Sequence, residues 1–89
     1  MDVVWAPSSW DDYMRWQKED SAVATKINEL IGDIRRTPFT GLGKPEPLHG
    51  NLSGWWSRRI NLEHRLVYRV EGKKGQSQRL LIAQCRYHY

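Results

Sequence analysis

A single cysteine, Cys85, leaves this 89-residue chain unable to close an internal disulfide and excludes a zinc site built on two or four cysteines. The three histidines do not make up the deficit. His49, His64 and His88 lack metal-ligand spacing, and no HxxxH pair or carboxylate cluster stands beside them, so no metal is expected. Gly41, Gly43 and Gly50 match neither a phosphate-loop nor a dinucleotide pattern, and no cofactor is expected either. No run approaches the ~18 apolar residues of a membrane span. The start, Met1-Asp2-Val3-Val4-Trp5, has neither the basic residues nor the long apolar stretch of a signal peptide. The expectation is a cytoplasmic protein with no membrane partner. Internal repeats and low-complexity stretches are absent as well, and the length suits one domain over residues 1–89.

What the chain does contain is ordinary globular material with an uneven charge distribution. It is 39% hydrophobic and 27% charged, with a mean hydropathy of −0.73. Five tryptophans and four tyrosines supply much of the apolar surface that a small core needs. Residues 1–33 hold three bases and seven acids, net −4, whereas residues 34–89 hold eleven bases and three acids, net +8. Such segregation raises the potential on one part of a small protein and suits a polyanionic partner, although a solvated basic surface would give the same count.

The hydrophobic pattern divides the chain into helices first and strands later. Val3–Trp5 reads as a strand ended by Ala6-Pro7. Ser8 or Ser9 can cap a helix that carries Trp10, Tyr13, Met14 and Trp16 and runs to about Glu19. Asp20 or Ser21 caps a second helix, whose Val23, Ile27, Leu30, Ile31 and Ile34 form one stripe and which stops at Thr37-Pro38. Residues 38–50 hold three of the four prolines and three of the seven glycines and read as a loop. From Leu52 onward the period is two. Trp56, Arg58 and Ile60 alternate with Trp55, Ser57 and Arg59, then Leu66, Tyr68 and Val70 alternate with Arg65, Val67 and Arg69. Glu71 to Ser77 is a polar hairpin loop, and Arg79 to Arg86 a last strand whose Leu80–Ala83 run, apolar on both faces, places it centrally. The order β-α-α-β-β-β predicts an α+β domain, a mostly antiparallel twisted sheet packed against the N-terminal helix pair.

Three features could carry chemistry. Glu46, held between Pro45 and Pro47 and beside Lys44, is placed as a rigid general base would be, or is a turn glutamate paired with that lysine. Arg58, Arg59, Arg65, Arg69, Arg79 and Arg86 lie on consecutive strands. Alternation can aim several of them at one face to bind phosphates, or they are solvated residues whose stems shield apolar surface. The ending Cys85-Arg86-Tyr87-His88-Tyr89 comes directly after a buried strand, and His88 has the side chain suited to a general acid near neutrality, or is an exposed tail imidazole. Cys85, inside an apolar strand, reads as buried and inert rather than as a nucleophile.

Together the segments Ser9–Tyr13, Lys26–Ile31, Arg35–Phe39, Gly43–Leu48, Asn51–Gly54, Trp56–Ile60, Glu63–Tyr68 and Cys85–Tyr89 make the chain resemble the YoeB toxins of bacterial type II toxin–antitoxin systems, in the broader RelE/ParE-like superfamily. The resemblance implies a ribosome-dependent endoribonuclease that cleaves mRNA in the ribosomal A site, forms a homodimer and is neutralised by an acidic-tailed, YefM-like antitoxin. It implies Glu46 as general base for the 2′-hydroxyl, His88 as general acid for the departing 5′-oxygen and Arg65 as the stabiliser of the pentacoordinate phosphate. Tyr89 and Glu63 would orient these groups. Lys44, Arg58, Arg59, His49, Lys73 and Lys74 would contact RNA. His49 and Gly50 stand where the family pattern is more basic, and the Glu71–Gln78 loop is longer than that pattern. Two rivals remain at this level: a non-catalytic gyrase inhibitor of the ParE kind and a plain RNA-binding module.

Overall fold

The computed structural model of the protein describes residues 1–87, and His88 and Tyr89 lie outside it. Strand β1 (Asp2–Trp5) leads into α1 (Pro7–Glu19) and α2 (Ser21–Arg36), followed by β2 (Glu46–Pro47), β3 (Trp56–Arg59), β4 (Arg65–Glu71) and β5 (Arg79–Gln84). The sheet has five strands in the order β1-β5-β4-β3-β2. Only β1 and β5 run parallel, and every other pair is antiparallel. The α+β reading therefore holds, with one strand more than the sequence suggested. β2 is two residues long and lies inside the proline-rich segment read as a loop. Pro47 belongs to this edge strand, where a missing N–H costs no ladder bond. A 3-10 turn over Gly50–Leu52 begins at the end of that segment.

Helix α1 starts earlier than the serines implied. Pro7 occupies the first turn, its fixed φ and absent N–H suited to that position, and Ala6 is the N-cap without a side-chain cap bond. Ser9 is buried instead, its Oγ donating to the Ile82 carbonyl at 2.7 Å and tying α1 to β5. Asp20 caps α2 as expected, Oδ1 accepting from the Ala22 and Val23 amides at 3.1 and 3.3 Å. The α2 stripe of Val23, Ala24, Ile27, Leu30 and Ile34 is buried against Leu66, Tyr68, Leu80 and Ile82 of the sheet. β5 is interior, between β1 and β4, and ends at Gln84 rather than Arg86. A register shift at Val67/Tyr68 bends the β4–β5 ladder there, and Trp16 Nε1 donates to the Cys85 carbonyl at 2.9 Å.

The largest departure from expectation is Arg58. Read from sequence as an RNA contact, it points into the helix-covered face with no solvent exposure. Its five N–H donors all find acceptors. Nε donates to Tyr68 Oη at 3.2 Å, Nη1 to Asp33 Oδ2 at 2.6 Å and Leu42 O at 3.0 Å, and Nη2 to Thr37 O at 2.7 Å and Thr40 O at 2.8 Å. Even numbering in β3 places it on the same face as Trp56, opposite Leu66. The guanidinium is a structural pin that wraps residues 37–42 around one charge. Gly41 belongs to this wrap: its φ is +112°, and a Cβ there would collide with the Asp33 carboxylate.

The Leu42 amide and then Arg58 hold the Asp33 carboxyl below its ordinary value. The stabilisation this provides is complete above ~3.9, the unfolded-chain value, and is lost as pH falls through the lower native one. Acid unfolding followed by circular dichroism should show that loss in the wild type and a flatter acid limb in Asp33→Asn. Arg58→Ala, which strands Asp33 and three carbonyls, should cost about 3–5 kcal/mol in urea denaturation.

Candidate functional site

Pairing register determines which side chains share a face. Glu46 of β2 lies opposite Ser57 of β3, which lies opposite Val67 of β4. Two residues further along, Arg59 lies opposite Arg65. Directly paired residues, and residues two apart on a strand, point the same way. Glu46, Arg59, Arg65 and Arg69 therefore occupy the face away from the helices. The expectation that several strand arginines converge is met for these three. Arg58 lies on the opposite face, Arg79 pairs with Glu71 at 3.0 Å, and Arg86 pairs with Glu19 at 3.0 Å.

The loop carrying Glu46 is held against this sheet by close backbone approach. Gly43 has φ +80°, and a Cβ would stand 3.0 Å from Arg59 O. Its own carbonyl accepts the Arg59 amide at 2.7 Å. Lys44 comes next with φ 51°, which turns the chain into Pro45 and the exposed Glu46. Leu48 then donates its amide to Trp55 O at 2.9 Å, so Glu46 is bracketed by backbone bonds to β3. Lys44 and His49 are exposed on either side.

Arg65 opens β4 immediately after a tight turn. Asn61 Oδ1 accepts the amides of Glu63 and His64 at 2.9 and 2.8 Å, an Asx turn. Arg65 Nη1 donates to Asn61 O at 2.8 Å and His64 O at 3.1 Å, which orients the guanidinium from one nitrogen. Glu63 is exposed, its Oε2 3.3 Å from His64 Nε2.

Beyond β5 the tail is fastened residue by residue. Cys85 is buried with its carbonyl on Trp16 Nε1. The Arg86 guanidinium lies 4.3 Å from the Trp16 ring centroid. Tyr87, at φ 61°, donates its amide to His64 Nδ1 at 2.7 Å and accepts the Arg65 amide at 3.1 Å. His88 and Tyr89, the sequence-derived acid and its companion, lie outside the described residues, but the residue before them is tied to the backbone of Arg65. Lys73 and Lys74 are elsewhere. They sit past the far end of β4, roughly 20 Å of strand from Arg65, where Lys74 lines a groove with Arg35, Arg36 and Phe39. Sequence reasoning considered His64 only as a metal ligand. Its place before an arginine at the start of a strand was the available signal for a structural role. Among the described residues no three His, Cys, Asp or Glu side chains group closely enough to hold a metal ion, and no helix is long and apolar enough to cross a membrane.

Burial pushes the Cys85 thiol up to about 12, so it stays protonated and inert at neutral pH. Alkylation by iodoacetamide should be at least about 100-fold slower in the native protein than in urea, because it must wait for opening.

The arrangement of a helix pair on one face of the five-stranded sheet is found in other solved structures. YafQ of Escherichia coli, at 18% identity and a TM-score of 0.74, shares the fold, with 98% of this chain and 92% of that one covered. The more specific match is the family model described as YoeB-like toxin of bacterial type II toxin-antitoxin system, which fits residues 5–89, and the chain belongs to that family. Toxin YoeB of Escherichia coli K12 is 61% identical over the full length of both chains. A YoeB/ParE toxin from Agrobacterium tumefaciens superposes with a TM-score of 0.97 at 60% identity, both chains fully covered. YoeB of Staphylococcus aureus has been solved as a dimer and in a heterotetrameric YoeB-YefM complex, with TM-scores of 0.89 and 0.88 at 43% identity, each covering 100% of this chain and 98% of that one.

Proposed function

We propose that this toxin is a ribosome-dependent endoribonuclease that cuts mRNA in the A site by metal-free acid–base catalysis. The observation that carries the reading is the sharing of one open sheet face by Glu46 and Arg65, on either side of β3. Two strand spacings and a two-residue offset put their backbones roughly 12 Å apart, within reach of one phosphodiester for two long side chains. Glu46 takes the proton of the 2′-hydroxyl, whose oxygen attacks the adjacent phosphorus. Arg65 stabilises the extra negative charge of the pentacoordinate phosphate, a task suited to its fixed fork of donors. His88 protonates the departing 5′-oxygen, and the products are a 2′,3′-cyclic phosphate and a 5′-hydroxyl. Tyr89 orients the acid, and Glu63 supports it from the β3–β4 turn.

RNA approaches this face through Arg59, Lys44 and His49, which flank Glu46. Lys74, with Arg35 and Arg36, lines a second basic groove, and with Lys73 next to it in the chain gives a second area for ribosomal RNA. The same electrostatics suit neutralisation by an acidic-tailed, YefM-like antitoxin lying over the basic part of the chain, and association into a homodimer parallels the relatives' assemblies. The site of action is the cytoplasm, where the ribosomes are.

Mapping of mRNA ends after incubation with programmed ribosomes tests the reading, with cuts at A-site codons expected. Intact message, with or without gyrase inhibition, would overturn it. Glu46→Gln and His88→Gln should each slow single-turnover cleavage by about 10²–10⁴-fold at saturating ribosome. A chain ending at Tyr87 keeps the described tail contacts, so it should melt within about 5 °C of the full protein while losing most cleavage.

A further inference from the structure

His64 is buried, yet neither the fold's hydrophobic packing nor the proposed chemistry calls for an imidazole there. Its ring stands edge-on to Trp16, 4.8 Å between centroids, and 5.2 Å from the Tyr87 ring. Because Nδ1 accepts the Tyr87 amide at 2.7 Å, the proton of the neutral ring belongs on Nε2. That nitrogen faces Glu63 Oε2 at 3.3 Å, so the carboxylate favours the tautomer that leaves Nδ1 open as an acceptor. The Tyr87 carbonyl is taken by the neighbouring amide of Arg65. Consecutive residues 64 and 65 thus grip both sides of one tail residue, which is held at a positive φ of 61° that a tyrosine adopts only under constraint.

We infer that His64 is a positioning residue: by accepting the Tyr87 N–H it fixes the backbone beside Arg65 at the residue that precedes the proposed general acid, His88, in the chain. This role rests on the nuclease reading above. It also gives Glu63 a task that requires no contact with RNA, that of setting the His64 tautomer. An acid displaced by about 1 Å can lose roughly 10²-fold in rate while substrate binding is unchanged, so the signature is a fall in turnover without a change in affinity.

The test removes each partner of the bond separately. His64→Leu keeps volume and discards the acceptor. His64→Asn places Oδ1 where Nδ1 stood and should retain it. The donor can be deleted without touching His64, because Cys85 allows residues 1–84 to be ligated to a synthetic Cys85–Tyr89 peptide in which an ester replaces the Tyr87 amide. Single-turnover rate and apparent ribosome affinity are measured for each, together with hydrogen exchange of the Tyr87 amide in the free protein. His64→Leu and the ester should each lower the rate by about 10–100-fold with affinity within about twofold, and the two together should do no more than either alone. His64→Asn should recover most of the rate and keep the Tyr87 amide protected. A His64→Asn protein as slow as His64→Leu, or an ester protein with wild-type turnover, would overturn the role. Should His64→Leu fail to fold, the ester protein decides alone. Intact message with the unmodified protein would remove the nuclease reading and this role with it, whereas cleavage indifferent to both changes would remove this role only.

Discussion

The placement of the candidate base depends on a buried cation on the other side of the sheet. A guanidinium taken out of water is tolerable only when its charge is paired and its donors are met. For Arg58 that condition is satisfied by Asp33 and Tyr68 together with three carbonyls of residues 37–42. A segment rich in proline and glycine, with little apolar side chain to bury, would otherwise have small reason to fold down. Once it is wrapped around Arg58, Gly43 meets Arg59 and the chain emerges at the sheet edge as β2. The exposed carboxylate is thus located by a hydrogen-bond set that it does not belong to. The Tyr68 phenol shares in it, donating to Pro38 O at 2.7 Å, and its burial keeps it protonated for that purpose.

Strand alternation then separates packing from chemistry. In β3 and β4 the even-numbered side chains Trp56, Leu66, Tyr68 and Val70 go to the helices, and the odd-numbered Arg59, Arg65 and Arg69 go to the other face, where Ser57 and Val67 between them are themselves buried. Charge density on that face arises from the period of two, without any special loop. An arginine only one position away, Arg58, falls on the other face and becomes architecture. Adjacent arginines in one strand are therefore not equivalent, and counting cations along the sequence overstates the exposed set by the ones that alternate inward.

This explains what could and could not be read from the residues alone. The α2 stripe and its Asp20 cap were legible because both are local, and so was the two-residue period of β3 and β4. The start of α1 was misplaced because Ser9 serves the Ile82 carbonyl, a partner 73 positions away. β2 escaped notice because two residues next to prolines carry no period, and it exists only because β3 is beside it. Arg58 was misassigned because three of its five acceptors are backbone carbonyls, which leave no trace in side-chain composition, and the other two, Asp33 and Tyr68, reach it only through the fold. Glu46 could be singled out by type and setting and Arg65 only by the family resemblance, but their common face needed the register. His64 was passed over for a related reason: its partner is the amide of Tyr87, identical in every residue but proline.

The segment after β5 is held, as far as Tyr87, by contacts to α1 and to the start of β4. Trp16 is the common support: its indole N–H holds the Cys85 carbonyl, its face carries Arg86 and its ring meets the edge of His64. Glu19, one turn later on α1, takes the Arg86 guanidinium, and that contact draws the Glu19 carboxyl below its ordinary value. None of these groups lies on the open face, yet each constrains where the last residues begin. The fastening as far as Tyr87 is made of backbone bonds and ring contacts rather than buried aliphatic area. Tyr87 is positioned by the sheet, because its carbonyl accepts the amide of Arg65 itself. Tyr87 and Arg65 then share one reference point in the backbone, and their relative geometry is set by direct contact rather than over the length of the chain.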